Sequence, residues 1–260
     1  MTATAPGLWS AVRRDLAMFF SYIDGAEVVL RGSAIIGLTG GPAADFNMAL
    51  FDEDPDDFAV FDAFVSRVNA IGVSALAMMS GTVSRRLGSV ARAKGLVEAG
   101  TAPLMARSGA LRDAPVSEFV IQRVTEPRGM SVFGDLAASA FAMDRQWVDR
   151  TFAAASLLDA PALAFHVAYR GDIPMSAVCS SGAGPTVGIW TMSTPPDKQR
   201  QGAGRAVLLA AMQEHVTRGA ETFYLIATAA GKPLYDNLGF KTVDELSIWL
   251  VGESSQFPAH

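Results

Sequence analysis

Gln199-Arg200-Gln201-Gly202-Ala203-Gly204 stands between a strand-like run that ends at Met192 and an amphipathic run that begins near Arg205. Two glycines one residue apart let a backbone turn tightly with its N–H groups facing outward. If a helix starts there, its first amides have no acceptor within the helix and carry the positive end of its dipole. The chemistry on offer is then capture of a phosphate or diphosphate. Arg200 and Arg205 beside the turn add charge-assisted donors. A glycine turn ahead of a helix is also an ordinary way out of a strand, and these six residues alone leave both readings open. Two other phosphate motifs are excluded: Gly-Lys-Ser/Thr at P-loop spacing is missing, as is the third glycine of a dinucleotide-binding fingerprint.

The elements that must position this turn follow from periodicity. Leu208, Ala211, Met212, His215 and Val216 share one face of a helix reaching about residue 218. Upstream, residues 119–124, 162–169, 175–179 and 186–192 read as strands, with helices over 130–142 and 146–155. Downstream come a strand at 222–227, a helix at 232–238 and strands at 240–243 and 245–251. Nearer the N-terminus, Leu8, Val12, Leu16, Phe19 and Ile23 mark a helix, and short apolar runs at 27–30, 34–38 and 46–50 read as strands. A helix over 56–69, an apolar strand at 74–79 and a helix over 83–94 follow. Residues 109–118 lack periodicity and hold a proline, so a boundary is placed there: one domain over 1–115, a second over 116–252 and a loose tail over 253–260. The order strand, helix, strand, helix, strand after residue 46 repeats that after residue 186, so the halves are expected to share a fold. On that reading GLVEAG at 95–100 holds the place that LYDNLGF holds later.

Three ordered segments sharpen the reading. Gln199 to Gly204 resembles the Q/R-x-x-G-x-G/A diphosphate loop of the GNAT superfamily of N-acetyltransferases. Gly231-Lys232-Pro233-Leu234-Tyr235-Asp236-Asn237-Leu238-Gly239-Phe240 is similar to its A-x-x-L-Y-x-x-L-G-F segment, and Thr194-Pro195-Pro196 stands where its fourth strand ends. The resemblance covers roughly residues 119–251. It implies an α/β (α+β) fold, a GNAT-type mixed central sheet flanked by helices, here as two such units in tandem. It also implies acetyl-CoA as co-substrate, direct transfer of the acetyl group to an amine of a small molecule or peptide, and no metal. The pantetheine arm would pair with Met192, Ser193 and Thr194. The diphosphate would rest on Gln201, Gly202, Ala203, Gly204 and Arg205, with Gln199 and Arg200 beside it. Tyr235 would lie near the thioester sulfur, where a phenol with a pKa of about 10 suits a proton donor to the departing thiolate.

The sequence departs from the family pattern in places. Gly231 replaces the usual alanine, Pro233 falls in the first turn of a helix, where proline is tolerated, and Thr228 stands where many relatives carry asparagine. Gly188-Ile189-Trp190-Thr191-Met192 offers no carboxylate where many relatives place a general base. Glu126 and His166 are the substitutes considered, against the plain alternatives of a solvated glutamate and a core histidine. His215 falls on the apolar helix face, and Trp190 lines either an acceptor pocket or the core. Two further readings stay open: an acyl-CoA-binding sensor or scaffold without chemistry, and a transferase for longer acyl groups.

The first half has no such loop. Asp52-Glu53-Asp54-Pro55-Asp56-Asp57 follows its strand at 46–50, and five carboxylates in six positions repel a diphosphate. They also suit an ordinary helix N-terminus. This half is therefore expected to be a degenerate copy.

Composition bounds the rest. The 260 residues are 50% hydrophobic, enough for a sizeable core, with a formal net charge of -5 and a pI near 5.2. That balance argues against a nucleic-acid partner. Arg13, Arg14 and Asp15 interrupt the apolar residues of the first helix, unlike a secretory signal, and no segment approaches the roughly 20 apolar residues of a membrane span. The single cysteine, Cys179, allows no internal disulfide and fits a reducing, cytoplasmic setting. Either a monomer or a homodimer is compatible with the sequence.

Overall fold

The computed structural model describes residues 5–52, 57–111, 118–152, 155–182 and 184–252. Most of the boundary expected at 109–118, most of the acidic run and the tail at 253–260 lie outside the described residues. In chain order the first elements are α1 (Ala5–Ser21), β1 (Glu27–Arg31), β2 (Ala34–Leu38), β3 (Asn47–Phe51), α2 (Asp57–Ile71), β4 (Ala75–Met79), α3 (Gly81–Ala93) and β5 (Val97–Ser108). Then follow β6 (Val120–Arg123), α4 (Pro127–Phe141), α5 (Arg145–Phe152), α6 (Ala155–Asp159), β7 (Leu163–Arg170), β8 (Ile173–Ser181) and β9 (Thr186–Ser193). The last elements are α7 (Ala203–Val216), β10 (Thr222–Ile226), α8 (Lys232–Asn237) and β11 (Lys241–Val251). No helix among the described residues is long and apolar enough to cross a membrane.

The chain divides into two compact units that do not follow chain order. One comprises Thr4–Met105, Ile226–Lys232 and Thr242–His260; the other holds Ala106–Leu225 and Pro233–Lys241, with Met1–Ala3. We call them the N-terminal and C-terminal units.

In the N-terminal unit the strand order is β1, β2, β3, β4, β11, β5. β3 and β4 are parallel and paired from Met48 with Leu76 to Phe51 with Met79, and Ser80 N–H adds a bond to the Phe51 carbonyl at 3.0 Å. Alternation sends Ala49, Phe51, Ala77 and Met79 to one face, where α2 supplies Phe61, Phe64 and Val68. Phe51 meets Phe61 and Phe64 edge-on at 5.5 and 6.1 Å. The strands expected at 240–243 and 245–251 are one strand, β11, antiparallel to β4 from Ser247 with Met79 to Val251 with Ala75. Trp249 of β11 is buried in this core, with its ring against Gly88 and under the Arg92 guanidinium. The pairing buries Trp249 and Val251 in this core.

GLVEAG also differs from its expected place. Gly95, at φ 78, turns the chain out of α3, and β5 begins at Val97. α3 with Gly95 thus answers to α8 with Gly239, at φ 84, each pair leading into a strand.

In the C-terminal unit the order is β10, β9, β8, β7, β6, with the end of β5 beside β10, where the Ser108 and Thr222 hydroxyls meet at 2.9 Å. Neighbouring residues of β7 face opposite ways: Phe165 packs edge-on against Phe133 of α4, and His166 meets Glu214 of α7. Helices therefore cover both faces. The turn between β7 and β8 is Gly171 and Asp172, with Arg170 and Ile173 paired across it.

Candidate functional site

β9 forms one wall of the site. Its parallel pairing with β10 runs from Thr186 with Thr222 to Gly188 with Tyr224 and stops there, although β9 continues to Ser193. On its other edge β9 follows β8 with a register shift, Cys179 facing Trp190 and Ala177 facing Ser193. β9 thus spends three steps where β8 spends two, a bulge that bends and twists the strand. Thr191 lies in it at φ 45, a left-handed conformation that a β-branched residue seldom adopts. Ser176 fixes the far end, donating to the Ser193 carbonyl at 2.9 Å and sharing a 2.8 Å hydrogen bond with the Thr194 hydroxyl. The edge of β9 from Ile189 to Ser193 that faces β10 is left out of the ladder.

The chain then turns through a 3-10 segment, Pro196–Lys198, into α7. Side chains tie this turn to its surroundings: Lys198 Nζ donates to the Pro174 carbonyl at 2.9 Å, Gln199 Nε2 to the Thr194 carbonyl at 3.2 Å and Gln201 Nε2 to the Asp197 carbonyl at 3.3 Å. Arg200 at φ 62 and Gly202 at φ 88 make the reversal. The first helical bond runs from Ala206 N–H to the Gly202 carbonyl at 3.0 Å. The amides of Gln201 through Arg205 therefore have no acceptor among the described residues, and Arg200, Gln201, Gly202 and Arg205 are exposed.

Gly204 sets how closely the helix meets the strand. A Cβ there would stand 3.1 Å from Met192 Cε, 3.3 Å from Thr194 Oγ1 and 3.8 Å from Leu234 Cδ2. Side chains from the end of β9 and from α8 therefore close on the start of α7 here, and even a methyl group would require Met192 and Thr194 to give by a few tenths of an ångström. Tyr235 follows Leu234 in α8. It is buried at 7% exposure, edge-on to Phe240 at 5.9 Å, and burial pushes its phenol up to about 12. It stays protonated at ordinary pH but is a weaker acid than a free phenol.

Lower on β9, Gly188 leaves room for an aromatic cluster. A Cβ there would fall 2.4 Å from Trp190 Nε1 and 2.7 Å from the Tyr224 hydroxyl. The Trp190 indole donates to Ser181 Oγ at 2.6 Å and stands edge-on to Tyr224 at 5.9 Å, half-buried beyond the last β9–β10 pair.

The residues considered as bases are engaged or remote. His166, 3% exposed, donates through Nε2 to Glu214 at 2.7 Å; burial lowers its pKa despite that carboxylate. Glu214 also pairs with Arg123 and Arg218. His215 shares a 2.8 Å hydrogen bond with Ser180, and burial brings it down to about 4. Glu126 is exposed at the start of α4, past Arg123 from the hairpin that approaches the turn. Among the described residues no three His, Cys, Asp or Glu groups gather as a metal site. Periodicity gave no hint of Arg170, whose guanidinium donates to Gln201 Oε1 at 2.6 Å, because its partner lies 31 residues away.

Comparison with known proteins fits this geometry. A family model described as an acetyltransferase (GNAT) domain matches residues 137–248. A search of curated proteins gives no match. Among solved structures, a GCN5-related N-acetyltransferase from Kribbella flavida superposes with a TM-score of 0.69 at 15% identity, over 94% of this chain and 96% of that one. A GCN5-related N-acetyltransferase from Sphaerobacter thermophilus gives 0.60 at 11%, over 98% and 96%. A tandem GNAT protein from the clavulanic acid biosynthesis pathway gives 0.57 at 12%, over 88% and 83%. At these identities the likeness is one of fold. Residues 137–248 thus match the GNAT acetyltransferase domain model, and the chain as a whole carries the fold of GNAT structures.

Proposed function

We propose that the C-terminal unit binds acetyl-CoA and transfers its acetyl group to an amine. One observation carries this reading: the ladder between β9 and β10 ends at Gly188 and Tyr224, and the opening leads to a glycine turn whose amides have no acceptor among the described residues. The turn suits a diphosphate, since Gln201 through Arg205 present donors at a helix N-terminus with Arg200 and Arg205 alongside. The free edge of β9 at Met192 and Ser193, with Thr194 beyond it, offers backbone groups to an amide-bearing arm. Gly204 keeps the passage between strand and helix narrow.

Acetyl-CoA supplies the activated acyl group, and the acceptor nitrogen displaces its thiolate. Tyr235 is the proton donor to that sulfur. At about 12 its phenol lies above the usual thiol range of roughly 8.5, so it assists by hydrogen bonding more than by full transfer before the C–S bond breaks. With His166 and His215 engaged elsewhere, the amine arrives neutral or loses its proton to water. The N-terminal unit is read as a degenerate copy of the same fold that contributes no cofactor site.

Thermal unfolding with and without acetyl-CoA tests this. Ligand at a hundred times Kd adds about 2.7 kcal/mol of stability, a readily measured rise in Tm. Gly202→Asp, which sets a carboxylate among the amides and strains φ 88, should abolish the rise. No rise for the native protein at millimolar acetyl-CoA overturns the assignment. An amine panel scored for released thiol then tests transfer. Binding with no acceptor-dependent release would favour the sensor reading, which the engaged histidines support, and competition among acyl-CoAs reports chain length.

A further inference from the structure

Arg170 closes β7 at its hairpin and gathers groups from two other segments of the C-terminal unit. Its Nη1 donates to Gln201 Oε1 at 2.6 Å, its Nη2 to Glu118 Oε1 at 2.8 Å, and the guanidinium lies 4.9 Å above the Phe119 ring. Phe119 reaches the glycine turn in its own right, because a Cβ at Gly202 would stand 3.7 Å from its Cε2. Gln201 also donates to the Asp197 carbonyl, so its side chain spans the turn from the 3-10 segment to Arg170. The buried Arg170 Nε has no acceptor among the described residues. A guanidinium that leaves one buried donor unsatisfied is not placed for its own solvation; its position is dictated by the groups it holds.

The turn has need of such a hold. Two of its three residues from Arg200 to Gly202 are left-handed, and a non-glycine residue at φ 62 persists only where its surroundings enforce it. A turn free to relax would lose the alignment of its amides and regain it only at the expense of ligand affinity. We propose that Arg170 is a positioning residue that locks the Arg200–Gly202 turn in the shape that presents its amides to the cofactor diphosphate. Its charge is matched by Glu118, so it acts through Gln201 and Phe119 without touching the phosphates. The inference rests on the acetyl-CoA reading above.

Calorimetric titration with coenzyme A and with dephospho-coenzyme A, which keeps the diphosphate and lacks the 3′-phosphate, tests it in the full chain. Arg170→Ala and Gln201→Ala should each raise Kd about tenfold for both ligands, and the double variant no further than either single, since both break one link. Arg170→Lys keeps the charge without the planar fork and should bind like Arg170→Ala. Gln201 is exposed, so its variant reports even if Arg170→Ala folds poorly. Additive losses of about a hundredfold in the double variant overturn the proposal. So does a loss seen with coenzyme A alone, which would mean direct contact with the 3′-phosphate. Native protein that binds neither ligand removes the acetyl-CoA reading and this inference together. Native binding with an unaltered Arg170→Ala removes only the inference.

Discussion

β3 with β4 and β9 with β10 are both parallel pairs joined by a helix, and they end in opposite ways. β3 and β4 are paired to their last residues, Phe51 and Met79, and one more bond extends the seam through Ser80. Past that point Asp52 is anchored by Arg13 at 2.5 Å and by the Ser33 hydroxyl on its carbonyl. β9 and β10 part after three pairs, with a bulge and a left-handed threonine at the parting. The helix after β3 begins at Asp57, that after β9 behind Gly202. What separates a filled seam from an open one is small: one extra residue in a strand, and glycine in place of carboxylate at the next helix.

If the closed seam is packing and the open one is a binding site, mutations in the two should fail differently. Phe51→Ala, which empties a fully buried aromatic site, should lower stability by about 3–5 kcal/mol while leaving acetyl-CoA affinity within twofold at 25 °C. Denaturant titration and calorimetry on one preparation would show both, and a large loss of affinity would erase the contrast. Gly204→Val is the converse. Its side chain would enter the space of Met192 and Thr194, and Kd for acetyl-CoA should rise at least about a hundredfold, roughly 2.7 kcal/mol, with a smaller loss of stability. Once an acceptor is known, Tyr235→Phe should lower kcat about ten- to a hundredfold with little change in cofactor Kd. Unchanged turnover would remove the proton-donor role.

Acid should also distinguish the units. The chain has three histidines, two of them buried in the C-terminal unit and the third at 260, outside the described residues. Burial holds both His166 and His215 below 6.5, so each favours the folded state while neutral. The sign follows: their contribution is complete above about pH 6.5 and is lost as pH falls through the folded values, about 4 for His215. Hydrogen exchange between pH 7 and 4 should show β7 and α7 losing protection before β3 and β4, and His215→Gln should reduce the difference. The smallest effect is at the bulge. Thr191→Asn, which tolerates φ 45 better, should add up to about 1 kcal/mol of stability without closing the gap. A gap that closed would show that strain in Thr191 holds it open.

The parts readable in the sequence are those set by neighbours in the chain. The turn at 199–204 was visible because two glycines precede a run of helical period, and α8 because Leu234, Tyr235, Leu238 and Phe240 follow a familiar order. The bulge was not visible, since Thr-Met-Ser reads as uninterrupted strand until the partner register is known. Nor was the partner of β11, whose apolar run would suit any sheet; Trp249 packs into a core assembled from residues far away in the chain. His166 illustrates the same limit: its type suggested a base, while its carboxylate partner lies 48 residues on.

The placement of β11 bears on how the molecule is made. Residues 247–251 pair with β4, and Trp249 packs against Gly88, so the N-terminal unit lacks an interior strand until the segment after α8 has been synthesised. Until then β4 has no partner on the edge that β11 takes, while residues 106–225 of the other unit are translated. The unit that opens before its neighbour in the chain is thus closed after it.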